Sequence, residues 1–226
     1  MTRDILSTIK EILKQSREDA EISEDTVLDK DILRELGINQ DGEEVFCVDR
    51  SKRIELAQRA VGSGASIAEI VELLNWKDFE GFVASILSAN TFRCVESFRR
   101  RGNSLLHGME IDVIGVKGDT IISIDAKMWG VRSGKISALR TAAEKQKIRT
   151  QELSNELDRL SGKMNNLVSR EYHLFPVVVT WLVEEVELHE GVPVVPIFKL
   201  NSFILDFYQY EDLMVVYSGY FENSSF

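Results

Sequence analysis

Asp112, Asp125 and Lys127 are the residues whose types and spacing point to chemistry. They sit in two apolar, β-rich runs, 110–116 and 120–127, separated by Gly118-Asp119, which reads as a two-residue type I′ or II′ hairpin loop. In that register Asp112 lies directly across from Asp125, and Lys127 shares their face opposite Glu110. Ile111, Val113, Ile122, Ile124 and Ala126 form the other, apolar face, and a one-residue slip would bury the acids, so the pattern itself supports the pairing. Two facing carboxylates disfavour a sheet by a few tenths to about 1 kcal/mol. A cation between them removes that cost. Mg²⁺ suits such a site, because it prefers oxygen ligands and is held by one or two carboxylates plus substrate phosphate. A water activated by the ion, with Lys127 to orient it, is the equipment for phosphodiester hydrolysis.

Glu80 adds a third acid. It falls within or beside the apolar stripe of a helix carrying Trp76, Phe79, Val83, Ile86 and Leu87, where a carboxylate needs a partner. A helix packed across the acidic face of the hairpin would bring Glu80 to the ion or to one of its waters. Pairing with a neighbouring cation is the alternative. Trp76, Phe79 and Phe82 read as core.

Asp112, twelve intervening residues and then Asp125-Ala126-Lys127, after a helix bearing Glu80, resembles the PD-(D/E)XK nucleases. More narrowly, Trp76-Lys77-Asp78-Phe79-Glu80 with Glu110-Ile111-Asp112-Val113 and Ile124-Asp125-Ala126-Lys127 is similar to archaeal Mrr-type restriction-endonuclease-like proteins, with archaeal Holliday junction resolvases more distant. Ile111 stands where the name-giving pattern has Pro. The resemblance covers about residues 76–200. It implies a Mg²⁺-dependent DNA endonuclease in which Mn²⁺ substitutes. Asp112 and Asp125 would bind the metal, Lys127 would assist the attacking water, and Glu80 would complete the site. It also draws attention to Gln146, on the helix after the lysine strand, where some relatives carry a polar active-site residue. Arg99, Arg100, Arg101, Arg132 and Lys135 are expected phosphate contacts that position a strand rather than read its sequence. Trp129 reads as a packing or groove-wall residue that could stack on a base.

The elements that must position these residues fall into two parts. Residues 1–75 read as a small, mainly helical extension: a stripe of Ile5, Ile9, Ile12 and Leu13, a short helix ending at Gly37, and helices capped by Ser51 and Ser66 around a Gly-containing turn. That pair suggests a helix-turn-helix, with packing or dimerisation as the plainer role. Residues 76–226 read as α/β, and the resemblance implies a restriction-endonuclease-like mixed sheet flanked by helices. The expected elements are strands at 91–98, 110–116 and 120–127, a long helix at 135–160, strands at 177–183 and 192–200, a helix capped by Asn201, and a last strand at 213–217.

The net charge of −10 is unevenly spread: residues 91–150 carry twelve Lys/Arg against six Asp/Glu, and the remainder fifteen against thirty-one. A polyanion senses the field within about 10 Å, so overall acidity does not exclude DNA as partner. No apolar run reaches the ~18 residues of a membrane span. The start lacks a signal-peptide pattern, and Cys47 and Cys94 read as free thiols, so the expectation is a cytoplasmic protein without membrane partner or organic cofactor, with a homodimer as the candidate assembly. Two competing functions fit the same residues. One is a non-catalytic DNA-binding or regulatory protein on a nuclease fold, and the other is a structure-selective enzyme for branched DNA.

Overall fold

The computed structural model describes residues 2–18, 21–23, 30–38, 40–41, 45–102, 107–129, 134–164 and 167–223. Two compact units, Met1–Phe82 and Val83–Phe226, divide inside one helix rather than ahead of it at residue 75.

The first unit holds α1 (Thr2–Gln15), β1 (Glu21–Ser23), α2 (Lys30–Glu35), β2 (Gln40–Asp41), β3 (Val45–Cys47), α3 (Arg50–Gly62), α4 (Ile67–Glu72) and the start of α5 (Trp76–Ala89). Ile9, Ile12 and Leu13 are fully buried, as the stripe predicts, and Gly37 takes the left-handed φ of +69° just beyond α2. The caps differ from the sequence reading. Asp49, not Ser51, caps α3 by accepting from Lys52 N at 2.8 Å. Ser66 makes no side-chain cap bond, and Glu69 pairs with Lys10 at 3.0 Å. At the start of α5, Asn75 and Asp78 exchange backbone-to-side-chain bonds of 2.9 and 3.2 Å, a reciprocal cap. Buried Arg53 ties this unit together, donating to Asp78, to the Leu13 and Leu73 carbonyls, and to Ser16 Oγ. Trp76 is exposed, whereas Phe79 and Phe82 are core.

The second unit continues with β4 (Arg93–Arg100), β5 (Met109–Lys117), β6 (Thr120–Lys127), α6 (Lys135–Ser154), α7 (Leu157–Ser161), β7 (Arg170–Thr180), β8 (Leu188–His189), β9 (Val192–Pro196), α8 (Ile197–Leu205), α9 (Phe207–Tyr210), a 3₁₀ turn at Glu211–Leu213, and β10 (Tyr217–Phe221). It is a mixed α/β unit. The sheet runs β4-β5-β6-β7-β9-β8, with β10 also pairing β7, and only β6–β7 and β7–β9 are parallel. Helices cover both faces: Leu139 and Ala143 of α6 pack with Val178 and Val194, while Phe175 meets Phe207 of α9 edge-on at 5.0 Å.

Several bounds move. The long helix breaks at Asn155 into α6 and α7, and strand β9 stops at Pro196, where α8 begins, so Asn201 lies inside a helix and not at its cap. The run at 177–183 is the tail of the longer β7, which ends at Thr180 and leaves Val183 exposed. The last strand begins at Tyr217, where the sequence reading ends it.

Candidate functional site

The hairpin forms in the register derived from sequence, from Lys117↔Thr120 to Val113↔Ile124. Gly118 has φ +62° while Asp119 does not have a positive φ, the pattern of a type II′ turn. Beyond Val113 the two strands part. Strand β5 continues along β4 to Arg100↔Met109, and β6 continues along β7 to Lys127↔Thr180. Asp112 and Asp125 are the first residues past this fork. There Asp112 Oδ2 accepts from Ala126 N at 2.8 Å, so a side-chain carboxylate takes an amide that a longer ladder would give to a backbone carbonyl. On the other side of Asp112, the β4 register passes from Glu96↔Val113 to Phe98↔Ile111, which leaves Ser97 across from the acid with φ +50°. That left-handed backbone at a non-glycine residue is a local strain of the kind that concentrates where a site over-determines its geometry.

Asp125 is 2% exposed. Arg149 Nη1 donates to its Oδ1 at 3.0 Å, and Lys127 Nζ lies 2.7 Å from its Oδ2. The lysine contact has an ion-pair distance without hydrogen-bond alignment, so Oδ2 is buried without a directional donor. A buried carboxylate requires such compensation, and here two cations supply it. Helix α6 is the second wall. Gln146 Nε2 donates to Ser123 Oγ at 2.8 Å, fastening the helix to the acid-bearing face of β6, and Arg149 follows three residues later on the same helix face.

Between β6 and α6 opens a cleft of about 530 Å³, lined by Asp125, Lys127, Trp129, Ser137, Thr141, Lys145 and Arg149 among others. Its charged lining is three cations to one carboxylate, a composition that favours an anionic ligand. Lys127 Nζ stands 5.8 Å from the centre of the Trp129 ring. The Trp129 carbonyl accepts from Lys135 Nζ at 3.0 Å and from the Trp181 indole, which holds this end of the cleft in place.

Most of the other sequence candidates are held by partners of their own. Glu80 belongs to the first unit, is 5% exposed, and has Lys77 Nζ 2.6 Å from its carboxylate, so it is neutralised one turn away on its own helix. Arg100 is 5% exposed and donates to Glu152, Glu156 and the His107 carbonyl. These carboxylates hold its pKa above the usual guanidinium value, and the side chain anchors β4 to α6 rather than facing a phosphate. The cause is strand alternation: Arg99 and Arg101 point outward and Arg100 inward. Arg99 is exposed and pairs with Glu110 at 2.6 Å. Gln146 is fully buried, and Lys135 is committed to Glu184 at 2.6 Å and to Trp129, so both are internal braces and not surface contacts. Arg132 lies outside the described residues. Arg149 and Lys145 were missed from sequence. Helical spacing puts Arg149, i+3 from Gln146, on the same helix face, but which face meets the sheet is set by tertiary packing.

Among the described residues, three ligand-type side chains whose donor atoms lie within 4.8 Å of one another are Glu144, His189 and Glu190. Glu190 already pairs with Lys147 at 3.0 Å, which holds its carboxyl below the ordinary range. No described helix is long and apolar enough to cross a membrane.

No family model matches the chain. It is 29% identical over 137 residues to an uncharacterized protein of Archaeoglobus fulgidus, an alignment covering 61% of this chain and 95% of that protein. Among solved structures it is similar to the crystal structure of protein VC1899 from Vibrio cholerae, at 12% identity and a TM-score of 0.39 over 92% of this chain. The chain spans 51% of the length of that Vibrio cholerae protein.

Proposed function

We propose that the chain is a divalent-metal-dependent DNA endonuclease with a restriction-endonuclease-like core. The observation that carries this reading is buried Asp125 under a cation-lined cleft with Lys127 against it, on a strand that parts from the strand of Asp112 just past Val113↔Ile124. The donor set fits Mg²⁺ or Mn²⁺: two aspartates on neighbouring strands, with Asp125 Oδ2 lacking a directional partner. Asp112 and Asp125 would hold the ion. When bound, it supplies charge neutralisation on a phosphate oxygen and acidifies a water. Lys127 orients the attacking water and offsets charge gathering at the phosphorus. Lys145 and Arg149 hold the phosphate backbone in line with that attack. None of these roles depends on Glu80, which remains a proposed additional ligand only through the family resemblance.

A second reading, a nucleic-acid-binding module without turnover, draws on the same two cations, since Asp125 has a positive group at each oxygen. Supercoiled, linear, flapped and four-way DNA incubated with Mg²⁺, Mn²⁺ or EDTA separates the two. The nuclease reading expects cleavage in metal that EDTA abolishes, and a loss of at least about a hundredfold in Lys127→Ala, the size of a missing water-activating group. Binding unaffected by metal, with every substrate intact, would support the module. Cleavage confined to four-way or flapped DNA would mark a structure-selective enzyme.

A further inference from the structure

We infer that Arg149 is a counter-ion gate, occupying Asp125 until a substrate phosphate draws it away, so that nucleic acid and divalent ion bind with positive coupling. The inference rests on Asp112 and Asp125 being the metal site. Asp125 is paired with both Lys127 and Arg149, one negative group against two positive. A carboxylate already outnumbered by cations holds a divalent ion weakly, because affinity in oxygen-ligand sites follows the charge of the ligands. One cation must give way for the ion to bind well.

Arg149 is the one built to move. Lys127 is carried on β6 itself, two residues from Asp125, and its ammonium stands over the Trp129 ring. Arg149 reaches across from α6, its side chain is 30% exposed, and it lines the open cleft. Gln146, one turn earlier, fixes α6 to Ser123, so the helix stays in place while the guanidinium swings. A phosphate is the better partner for that guanidinium, since it accepts two parallel N–H bonds where Asp125 now accepts one. Moving Arg149 onto phosphate leaves Asp125 Oδ1 for the ion. Coupling between two ligands is reciprocal, so the ion then strengthens nucleic-acid binding by the same factor.

The test is Mn²⁺ binding, followed by loss of the free-ion EPR signal, which needs no turnover. Wild type, Arg149→Gln, Arg149→Lys and Asp125→Asn are titrated with and without a short phosphorothioate duplex that resists cleavage. Without DNA, Arg149→Gln should bind Mn²⁺ at least about tenfold more tightly than wild type, and the duplex should tighten wild type by about the same factor while moving Arg149→Gln little. Arg149→Lys keeps the charge and should stay within roughly threefold of wild type, which separates gating from a general disturbance of the fold. If Asp125→Asn abolishes binding but Arg149→Gln matches wild type, the metal site stands and the gate is refuted. If Asp125→Asn binds Mn²⁺ as wild type does, the metal-site reading itself falls, and the gate with it.

Discussion

Asp125 combines near-complete burial with two cationic neighbours, while the Asp112 carboxylate accepts the Ala126 backbone amide. Burial assigns Arg100 a role as firmly as exposure would assign it to a ligand. Its guanidinium bridges β4 to Glu152 and Glu156, so Arg100→Met should strip Glu152 of this cation, leave Glu156 with Arg159 at 3.4 Å, and cost about 2–3 kcal/mol. A fall in the urea midpoint without change in the slope would register this. Arg99→Met removes an exposed pair and should cost under about 1 kcal/mol. The hairpin that carries Asp112, Asp125 and Lys127 was legible in the sequence because a two-residue turn fixes its register from Lys117↔Thr120 to Val113↔Ile124. Arg149 was not, since its contact spans 24 residues and depends on how a helix is rotated against a sheet. Arg100 was misread as a phosphate ligand because three consecutive arginines resemble a basic patch until strand alternation assigns the middle one inward.

At the scale of elements, the hairpin, the flanking helices and the mixed sheet follow from local periodicity and turn chemistry. The fork between β5 and β6 does not, because divergence depends on which outer strand each partner follows. The end of β9 was a readable signal passed over, since Pro196 lacks the N–H that a continuing strand would need and instead precedes α8. The close seat of β10 against the end of α6 was invisible for another reason. Gly219 leaves no room there for a side chain: a Cβ would stand 2.3 Å from the Ser154 carbonyl oxygen. Gly219→Ala should therefore force β10 or the end of α6 to shift and destabilise the second unit by about 1–3 kcal/mol, seen as a lower thermal midpoint. Gly118→Ala meets no neighbouring atom but strains a positive φ, so its smaller penalty would come from backbone conformation alone.

For the molecule as a whole, net acidity and a cationic cleft coexist because charge is sorted along the chain, with +6 over residues 91–150 and −16 elsewhere. If that cleft grips a phosphate backbone, binding weakens linearly in log-log salt plots. Lys145→Ala should then flatten the slope by about 0.7–0.9, one phosphate contact, while leaving the melting temperature unchanged. An unaltered slope would place the nucleic acid elsewhere on the protein. The most direct measurement of the central claim is nicking of supercoiled plasmid by wild type and Asp125→Ala, side by side, with Mg²⁺, Mn²⁺ and EDTA. Nicking by wild type in metal alone is expected, and none by Asp125→Ala, with DNA binding by the variant retained. Metal-dependent nicking that survives in Asp125→Ala would contradict it, because the fork of β5 and β6 could not then be where the phosphodiester is cut.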